Sequence, residues 1–165
     1  MSTFPEEQRP RGSGPLVKIA FPLKPSSEDP TWPPVSVEKL WAERVGDNQY
    51  RLDNIPWFAS GVSYNDIVSV EDPEADEPLK FKRLITPRGH STYRVRTDFE
   101  GAEKHGIFHQ LLDALQKLKC SVENNSAGFF SIDVPPGASV HGVYDLLSKG
   151  EEWGVWDFEE GAARV

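Results

Sequence analysis

The chain has 165 residues, 38% hydrophobic and 11% aromatic, so it can bury a core of ordinary size without disulfide or metal staples. Its formal net charge of −8 argues against a general affinity for nucleic acid or an anionic membrane, because both require excess Lys and Arg. It has one cysteine, Cys120, and no apolar run near the roughly 18 residues that cross a bilayer, so we expect a cytoplasmic protein in which Cys120 is a buried structural thiol.

The first 34 residues offer little to bury. Residues 1–14 are polar, with interspersed prolines and glycines, and we expect a disordered tail. Residues 15–34 predict an extended segment followed by a proline-rich connector. Within them, Leu16 to Leu23 alternates loosely and predicts a strand that its prolines would confine to a sheet edge. We expect Trp32 to pin the connector to the body of the protein.

Residues 35–87 predict a small antiparallel β subdomain. Alternating runs are separated by a hairpin signal at Gly46-Asp47-Asn48 and by a compact apolar turn at 54–61, and strand patterns resume at 66–70 and 79–85. In the last run, Leu79 to Ile85, odd-numbered residues are expected on one side and even-numbered residues on the other. About four short strands with tight turns are typical of a small antiparallel barrel or a curled sheet.

Residues 101–120 predict one amphipathic helix, the best-supported core element of the chain. Asp98 and Glu100 favour its start, because carboxylates stabilise the N-terminal end of a helix. Its apolar residues recur at three- and four-residue steps and therefore share one face: Ile107, Phe108, Leu111, Leu112, Leu115 and Leu118.

Residues 88–165 predict the order strand, helix, two strands, helix, strand. The second helix is expected to bury one face with Val140, Val143, Tyr144 and Leu147. This order is the split βαβ arrangement, so the predicted fold class is α+β, a small barrel or curled sheet followed by a ferredoxin-like βαββαβ half. Such a fold hosts enzymes, sensors and binding modules alike, and does not decide the function.

Two stretches carry a resemblance to a known family. VEKLWAERVGDNQYRLDNIPWFASGVSYNDIVSVE, followed after an acidic loop by LKFKRLITPRGHSTYRV, resembles a bacterial, largely actinobacterial, domain family of unknown function. The resemblance covers about Val37 to Glu160, and its most specific part is DNIPWFASGVSYNDIV. Because the family has no established activity, the resemblance implies no catalytic residues and no cofactor.

The search for catalytic chemistry is mostly negative. There is no glycine-rich phosphate loop and no nucleophile elbow. His105, His109 and Asp113 have a helical spacing that zinc would accept, but we interpret the histidines as surface residues and predict no metal site and no cofactor. His90 and Ser91 could serve acid/base or nucleophilic chemistry, yet no third partner is identifiable. We therefore expect a protein that is not an enzyme.

Two acidic runs, Glu71 to Glu77 and Glu151 to Glu160, suggest a protein that binds and neutralises or regulates a partner protein. Such runs can steer association with a basic surface, and aromatic residues beside them are common in interface hot spots. An immunity-type inhibitor of a toxin is one protein of this kind. A competing interpretation has Trp156 and Phe158 filling the core while the acids face water. The predicted partner-binding residues are Glu71, Asp72, Glu74, Glu151, Glu152, Trp153, Trp156 and Glu159.

The stretch from Lys80 to Arg96 holds six basic residues and no acidic ones, which gives an alternative function. If strands 79–85 and 91–97 were antiparallel neighbours, Lys80, Lys82, Arg94 and Arg96 would share a face, and like charges directly opposite need compensation. One interpretation is internal compensation by the acidic runs. The other is an anionic ligand, which would make the chain a small-ligand sensor. The oligomeric state stays open.

Overall fold

A computed structural model describes residues 15–72, 77–97 and 102–164. The predicted tail, residues 1–14, and the predicted helix-start acids Asp98 and Glu100 lie outside these ranges. The α+β class is confirmed, with a five-stranded barrel followed by a four-stranded sheet that carries two helices. The elements are β1 (Leu16–Pro22), β2 (Val37–Gly46), β3 (Gln49–Leu52), β4 (Ile67–Val70), β5 (Leu79–Thr86), β6 (Ser91–Arg96), α1 (Ala102–Lys117), β7 (Ser121–Ser126), β8 (Phe129–Val134), α2 (Val140–Glu152) and β9 (Asp157–Ala162).

The barrel closes around β1. This strand pairs antiparallel with β2 along its whole length and parallel with β5 at Ile19 and Ala20. The prediction of an edge strand is therefore wrong. The prolines do not oppose the pairing, because Pro22 is the last residue of β1 and Pro25 lies beyond it, so neither removes a backbone N–H from the middle of the ladder.

The β2–β3 hairpin is confirmed. Gly46 pairs with Gln49, and Asn48 between them has φ 55°, the left-handed conformation that such turns require. Along β2 alternate side chains point into the barrel, and these are Glu38, Leu40 and Ala42.

The alternation predicted for β5 is interrupted by β-bulges. Arg83 pairs with Ser69 but Phe81 pairs with Val70, so Lys82 is an extra residue on β5. A bulge of this kind changes which face the following residues occupy. As a result Leu84 packs on the barrel core together with Leu79 and Phe81, instead of lying opposite to them as the sequence pattern predicted.

The second sheet has the strand order β7-β8-β6-β9, with every neighbouring pair antiparallel. The helices and one face of this sheet enclose the second core, which includes Tyr93, Ile132 and Leu147. The stripe predicted for α1 is confirmed: Phe108, Leu111 and Leu115 are buried, and Ile107, Leu112 and Leu118 pack beside them. Neither helix, in the described ranges, is both long and apolar enough to span a membrane.

The other face of the second sheet rests on the segment between β3 and β4. Ser63 Oγ lies 2.7 Å from Thr92 Oγ1, Ser131 Oγ donates to the carbonyl of Pro56 at 3.1 Å, and the Gly61 N–H donates to the carbonyl of Gly161 at 2.7 Å. The apolar turn that interrupts the strand pattern at residues 54–61 is thus the joint between barrel and sheet.

Candidate functional site

The most exposed aromatic side chains of the second sheet lie along α2 and β9. Ser139 caps α2 by accepting the Gly142 N–H at 3.0 Å, and the helix buries Val143, Leu147 and Gly150. Tyr144 is one position off that stripe and is 50% exposed, so its predicted place on the buried face is wrong. Its ring meets the Phe158 ring of β9 with centroids 5.6 Å apart.

Acidic residues lie near these aromatic residues along α2 and β9. Glu151 lies seven residues, about two helical turns, after Tyr144 and so projects on the same side of α2. Glu160 is opposite Tyr93 in the pairing of β6 with β9. Burial raises the pKa of the Tyr93 hydroxyl, and the nearby Glu160 and Tyr144 raise it further. We call this region the α2–β9 surface. It comprises Tyr144, Phe158 and Glu160 on the side of α2 that faces β9, and Glu151, Glu152 and Trp153 at the C-terminal end of the helix.

The acids of the α2–β9 surface do not contribute to helix stability. Glu151 and Glu152 are in the last turn of α2, where the negative end of the helix dipole disfavours a carboxylate by about 0.3–1 kcal/mol. Within the described part of the chain, none of the ion pairs involves Glu151, Glu152 or Glu160. Trp153, at the end of the helix, is 51% exposed.

The structure divides the predicted partner-binding residues. Glu151, Glu152 and Trp153 lie on the α2–β9 surface. Glu71 and Asp72 are exposed after β4 of the barrel, and Glu74 lies outside the described residues. The other two are elsewhere. Trp156 is 3% exposed and donates its Nε1–H to the Leu147 carbonyl at 2.9 Å, and Glu159 accepts a hydrogen bond from Arg94.

The predicted cationic face does not form, because β5 belongs to the barrel and β6 to the second sheet. Lys80 and Lys82 are exposed on the barrel, whereas Arg96 stacks over the Trp32 ring at 4.3 Å. Arg94 is 2% exposed and donates from Nε to Glu159 at 2.8 Å. The charge of Arg94 is thus compensated internally by the acidic C-terminal strand.

Arg94 and Glu38 hold the joint between the two halves from opposite sides. Arg94 donates from Nη1 to the Ala59 carbonyl at 3.0 Å and from Nη2 to the Phe58 carbonyl at 3.3 Å. Glu38 accepts the N–H groups of Trp57, Phe58 and Ala59 at 2.6, 3.0 and 2.8 Å. Burial raises the pKa of Glu38, and the three N–H bonds oppose that rise. The sequence search missed Glu38. Its burial could have been predicted, because Glu38 alternates along β2 with Leu40 and Ala42 and therefore lies on the same face.

Trp32 pins the connector, as predicted. Its ring packs edge-on against Phe58 and Phe129, with centroids 5.5 and 5.2 Å apart. Beside it a groove of about 300 Å³ is bounded by the connector and the joint, with Arg94 and Glu159 in its wall. Both of those charged groups already bond within the protein, so the groove offers no free charge from them to a ligand.

His90 has a partner that the sequence did not reveal. Its Nδ1 lies 2.9 and 3.0 Å from the two carboxylate oxygens of Asp133, and the Tyr64 ring packs edge-on at 5.1 Å. Burial raises the pKa of Asp133, and the hydrogen bond from His90 opposes the rise. The Ser91 hydroxyl accepts the backbone N–H of Arg164 at 2.7 Å.

Cys120 and the two histidines of α1 are the remaining titratable residues that the sequence singled out. Cys120 is buried, as predicted, and burial raises the pKa of its thiol to about 12, which leaves it an inert thiol at neutral pH. His105 and His109 lie exposed on α1 with their Nε2 atoms 3.0 Å apart. The described residues contain no group of three or more His, Cys, Asp or Glu that could hold a metal ion.

Comparisons with known proteins bear on the family and the fold. Residues 38–158 match the family model described as "Domain of unknown function (DUF4265)". A solved structure described as "Novel crystal structure of a hypothetical protein from Neisseria gonorrhoeae" is similar at 21% identity with a TM-score of 0.73, covering 90% of this chain and 96% of that one. No curated protein matches. At this identity the likeness concerns the fold alone.

Proposed function

The chain belongs to the DUF4265 family, described as a domain of unknown function. We propose that it is a non-catalytic protein that binds a basic partner protein through the α2–β9 surface. The observation that carries the proposal is two half-exposed aromatic side chains, Tyr144 on the β9 side of α2 and Trp153 at its C-terminal end, each close to carboxylates that no described ion pair neutralises. Interfaces favour this combination, because aromatic side chains supply the buried contact area and charges set association rate and partner choice.

The positions of Glu151 and Glu152 favour a role in binding a partner over a role in stabilising the fold. A carboxylate in the last turn of a helix is unfavourable, and two in succession at Glu151 and Glu152 gain nothing from the folded chain. A Lys- or Arg-rich partner surface would convert this cost into attraction. The partner is neutralised or regulated by having its basic site covered. An immunity-type inhibitor that covers the basic active site of a toxin is one protein of this kind.

The proposed fold of the half that carries this surface is ferredoxin-like. The strand order β7-β8-β6-β9, all antiparallel, with α1 and α2 following β6 and β8, supports this assignment. It places β9 at one edge of the sheet next to α2. A partner therefore has access to α2 and to the outer edge of β9 together.

A charge-reversal experiment tests the proposal. The variant Glu151→Lys, Glu152→Lys, Glu160→Lys is compared with a control of equal charge, Glu28→Lys, Asp47→Lys, Asp113→Lys, whose positions are also exposed. Proteins captured from native cell extract are quantified, and the association rate with the purified captured protein is measured at low and high salt. We expect a basic partner that the control retains and the reversed variant loses, with an association rate at least about tenfold lower at low salt.

A second variant tests the aromatic contribution. Trp153→Ala should slow neither folding nor encounter, but it should weaken affinity about thirtyfold if Trp153 is a hot spot, mainly through faster dissociation. Equal capture by the reversed variant and its control, or recovery of no basic protein at all, would show that the α2–β9 surface is not an interface.

A further inference from the structure

His105 and His109 lie four residues apart on α1, so their side chains project from one face of the helix a single turn apart. Their Nε2 atoms are 3.0 Å apart, and the ring planes meet at 79° with centroids 4.4 Å apart. Both side chains are exposed. Two imidazole nitrogens at this distance share one proton in the neutral state, with one ring as donor and the other as acceptor.

A metal ion can replace that shared proton and accept both lone pairs. If each metal–nitrogen bond is about 2.0–2.1 Å, two nitrogens 3.0 Å apart subtend an angle of about 90–95° at the metal. This is the cis angle of square-planar and octahedral complexes, and it is smaller than the tetrahedral angle that Zn²⁺ prefers. Cu²⁺ and Ni²⁺ favour such tetragonal sites, and Cu²⁺ binds nitrogen ligands most tightly among these ions.

We propose that His105 and His109 form a two-histidine chelate for Cu²⁺ or Ni²⁺. Among the described residues no third His, Cys, Asp or Glu completes a larger set, so the site differs from the three-ligand arrangement with Asp113 that the sequence suggested and we discounted. The proposal is independent of the function proposed for the α2–β9 surface.

The location of the chelate gives it a structural consequence. Gly106 lies between the two histidines in the interior of α1, and a helical glycine costs about 1 kcal/mol relative to alanine. A metal ion that joins His105 to His109 closes the turn containing Gly106. Bound metal therefore protects this turn, and the backbone N–H groups of residues 107–110 should exchange more slowly with it than without it.

Calorimetric titration of the full chain with CuCl₂, NiCl₂ and ZnCl₂ tests the chelate. The variants are His105→Ala and His109→Ala, and the control is His141→Ala, which removes an exposed histidine at the start of α2. We expect one tight equivalent, with Cu²⁺ binding more tightly than Zn²⁺. Removing either α1 histidine should weaken Cu²⁺ binding about a hundredfold, because the second imidazole acts at a high effective concentration, whereas His141→Ala should bind like the unmodified chain.

Electron paramagnetic resonance of the Cu²⁺ complex provides a readout beyond affinity, since it should report two nitrogen ligands that fall to one in either single variant. Equal Cu²⁺ affinity in the unmodified chain and in the His105→Ala, His109→Ala double variant would overturn the proposal. Tighter binding of Zn²⁺ than of Cu²⁺ would overturn the geometry on which it rests.

Discussion

The Glu38 carboxylate is 5% exposed inside the barrel, where it holds three consecutive backbone N–H groups of the joint. Burial disfavours its charged form and raises its pKa above the ordinary value of 4.5, while the N–H bonds and the Arg94 charge act in the opposite direction. Glu38 is therefore a structural acid whose proton affinity is higher in the folded than in the unfolded chain.

This difference predicts a pH-dependent stability. Between the ordinary pKa and the raised folded pKa, the folded chain holds a proton that the unfolded chain has released, so the free energy of unfolding falls as the pH rises. Glu38→Gln cannot ionise and lacks this slope. We expect the free energy of unfolding of the unmodified chain, minus that of Glu38→Gln, to decrease in urea titrations as the pH rises above 4.5, the ordinary pKa of this group.

A non-ionisable control separates this effect from general destabilisation. Leu52→Val trims a side chain in the same barrel core, and its difference from the unmodified chain should stay constant over the same pH range. A difference for Glu38→Gln that is also constant, or that grows with pH, would mean that the folded chain does not favour protonated Glu38.

At the residue scale, sequence periodicity could predict which polar side chains are buried, but it could not predict which of them contact each other. The alternation of β2 puts Glu38 in phase with the buried Leu40 and Ala42, so its burial was predictable in principle. The pairing of His90 with Asp133 was not, because the two residues are 43 positions apart and meet only when β6 and β8 align. Pairing across strands depends on register, which a single sequence does not specify.

Two helical glycines differ sharply in their surroundings. A Cβ added to Gly150 of α2 would lie 2.3 Å from the buried Trp156 ring, whereas a Cβ added to Gly106 of α1 would meet nothing within 4 Å. The helix α2 can thus lie this close to Trp156, in the segment between α2 and β9, only because Gly150 has no side chain.

Alanine at these two positions should have opposite effects on stability. Gly150→Ala forces Trp156 or the helix to shift, and overpacking of this kind costs about 1–3 kcal/mol. Gly106→Ala fills open space on an exposed helix and should stabilise by about 0.5–1 kcal/mol through helix propensity. Urea unfolding of both variants measures the effects. Equal changes in the two variants would show that the contact with Trp156 does not limit the packing of α2.

At the element scale, prediction succeeded where the periodicity was long and uninterrupted. The stripe of α1 is buried as expected because a sixteen-residue helix repeats its pattern several times. The strand β5 has eight residues and bulges that reverse its phase, so strict alternation misplaced Leu84. Closure of the barrel by β1 depends on pairing with β5, about sixty residues away, which no local pattern reports.

At the scale of the whole molecule, barrel and sheet have separate apolar cores and meet through polar contacts and through the packing of Trp32 and Phe58 on Phe129. The two buried hydrophobic clusters have no member in common. Arg94 connects the sheet to the barrel, because its side chain extends from β6 to carbonyl groups of the joint. Arg164, after β9, adds a bond to Asp66 at 2.7 Å, and burial raises the pKa of that carboxyl while Arg164 opposes the rise. These contacts make the two halves depend on each other.

Arg94→Met therefore tests whether the chain unfolds as one cooperative unit. Methionine roughly retains the length of the side chain but leaves the buried carbonyls of the joint without their donor, which costs about 1–3 kcal/mol for an unsatisfied group, whereas water can reach the partly exposed Glu159. Arg83→Met, at an exposed position of β5, is the control and should change stability by less than about 0.5 kcal/mol. Hydrogen exchange reports β3 of the barrel and β8 of the sheet separately. If the joint couples the halves, Arg94→Met lowers protection in both strands by the same factor. Loss of protection in only one strand would mean that barrel and sheet are separate folding units that merely touch at Arg94.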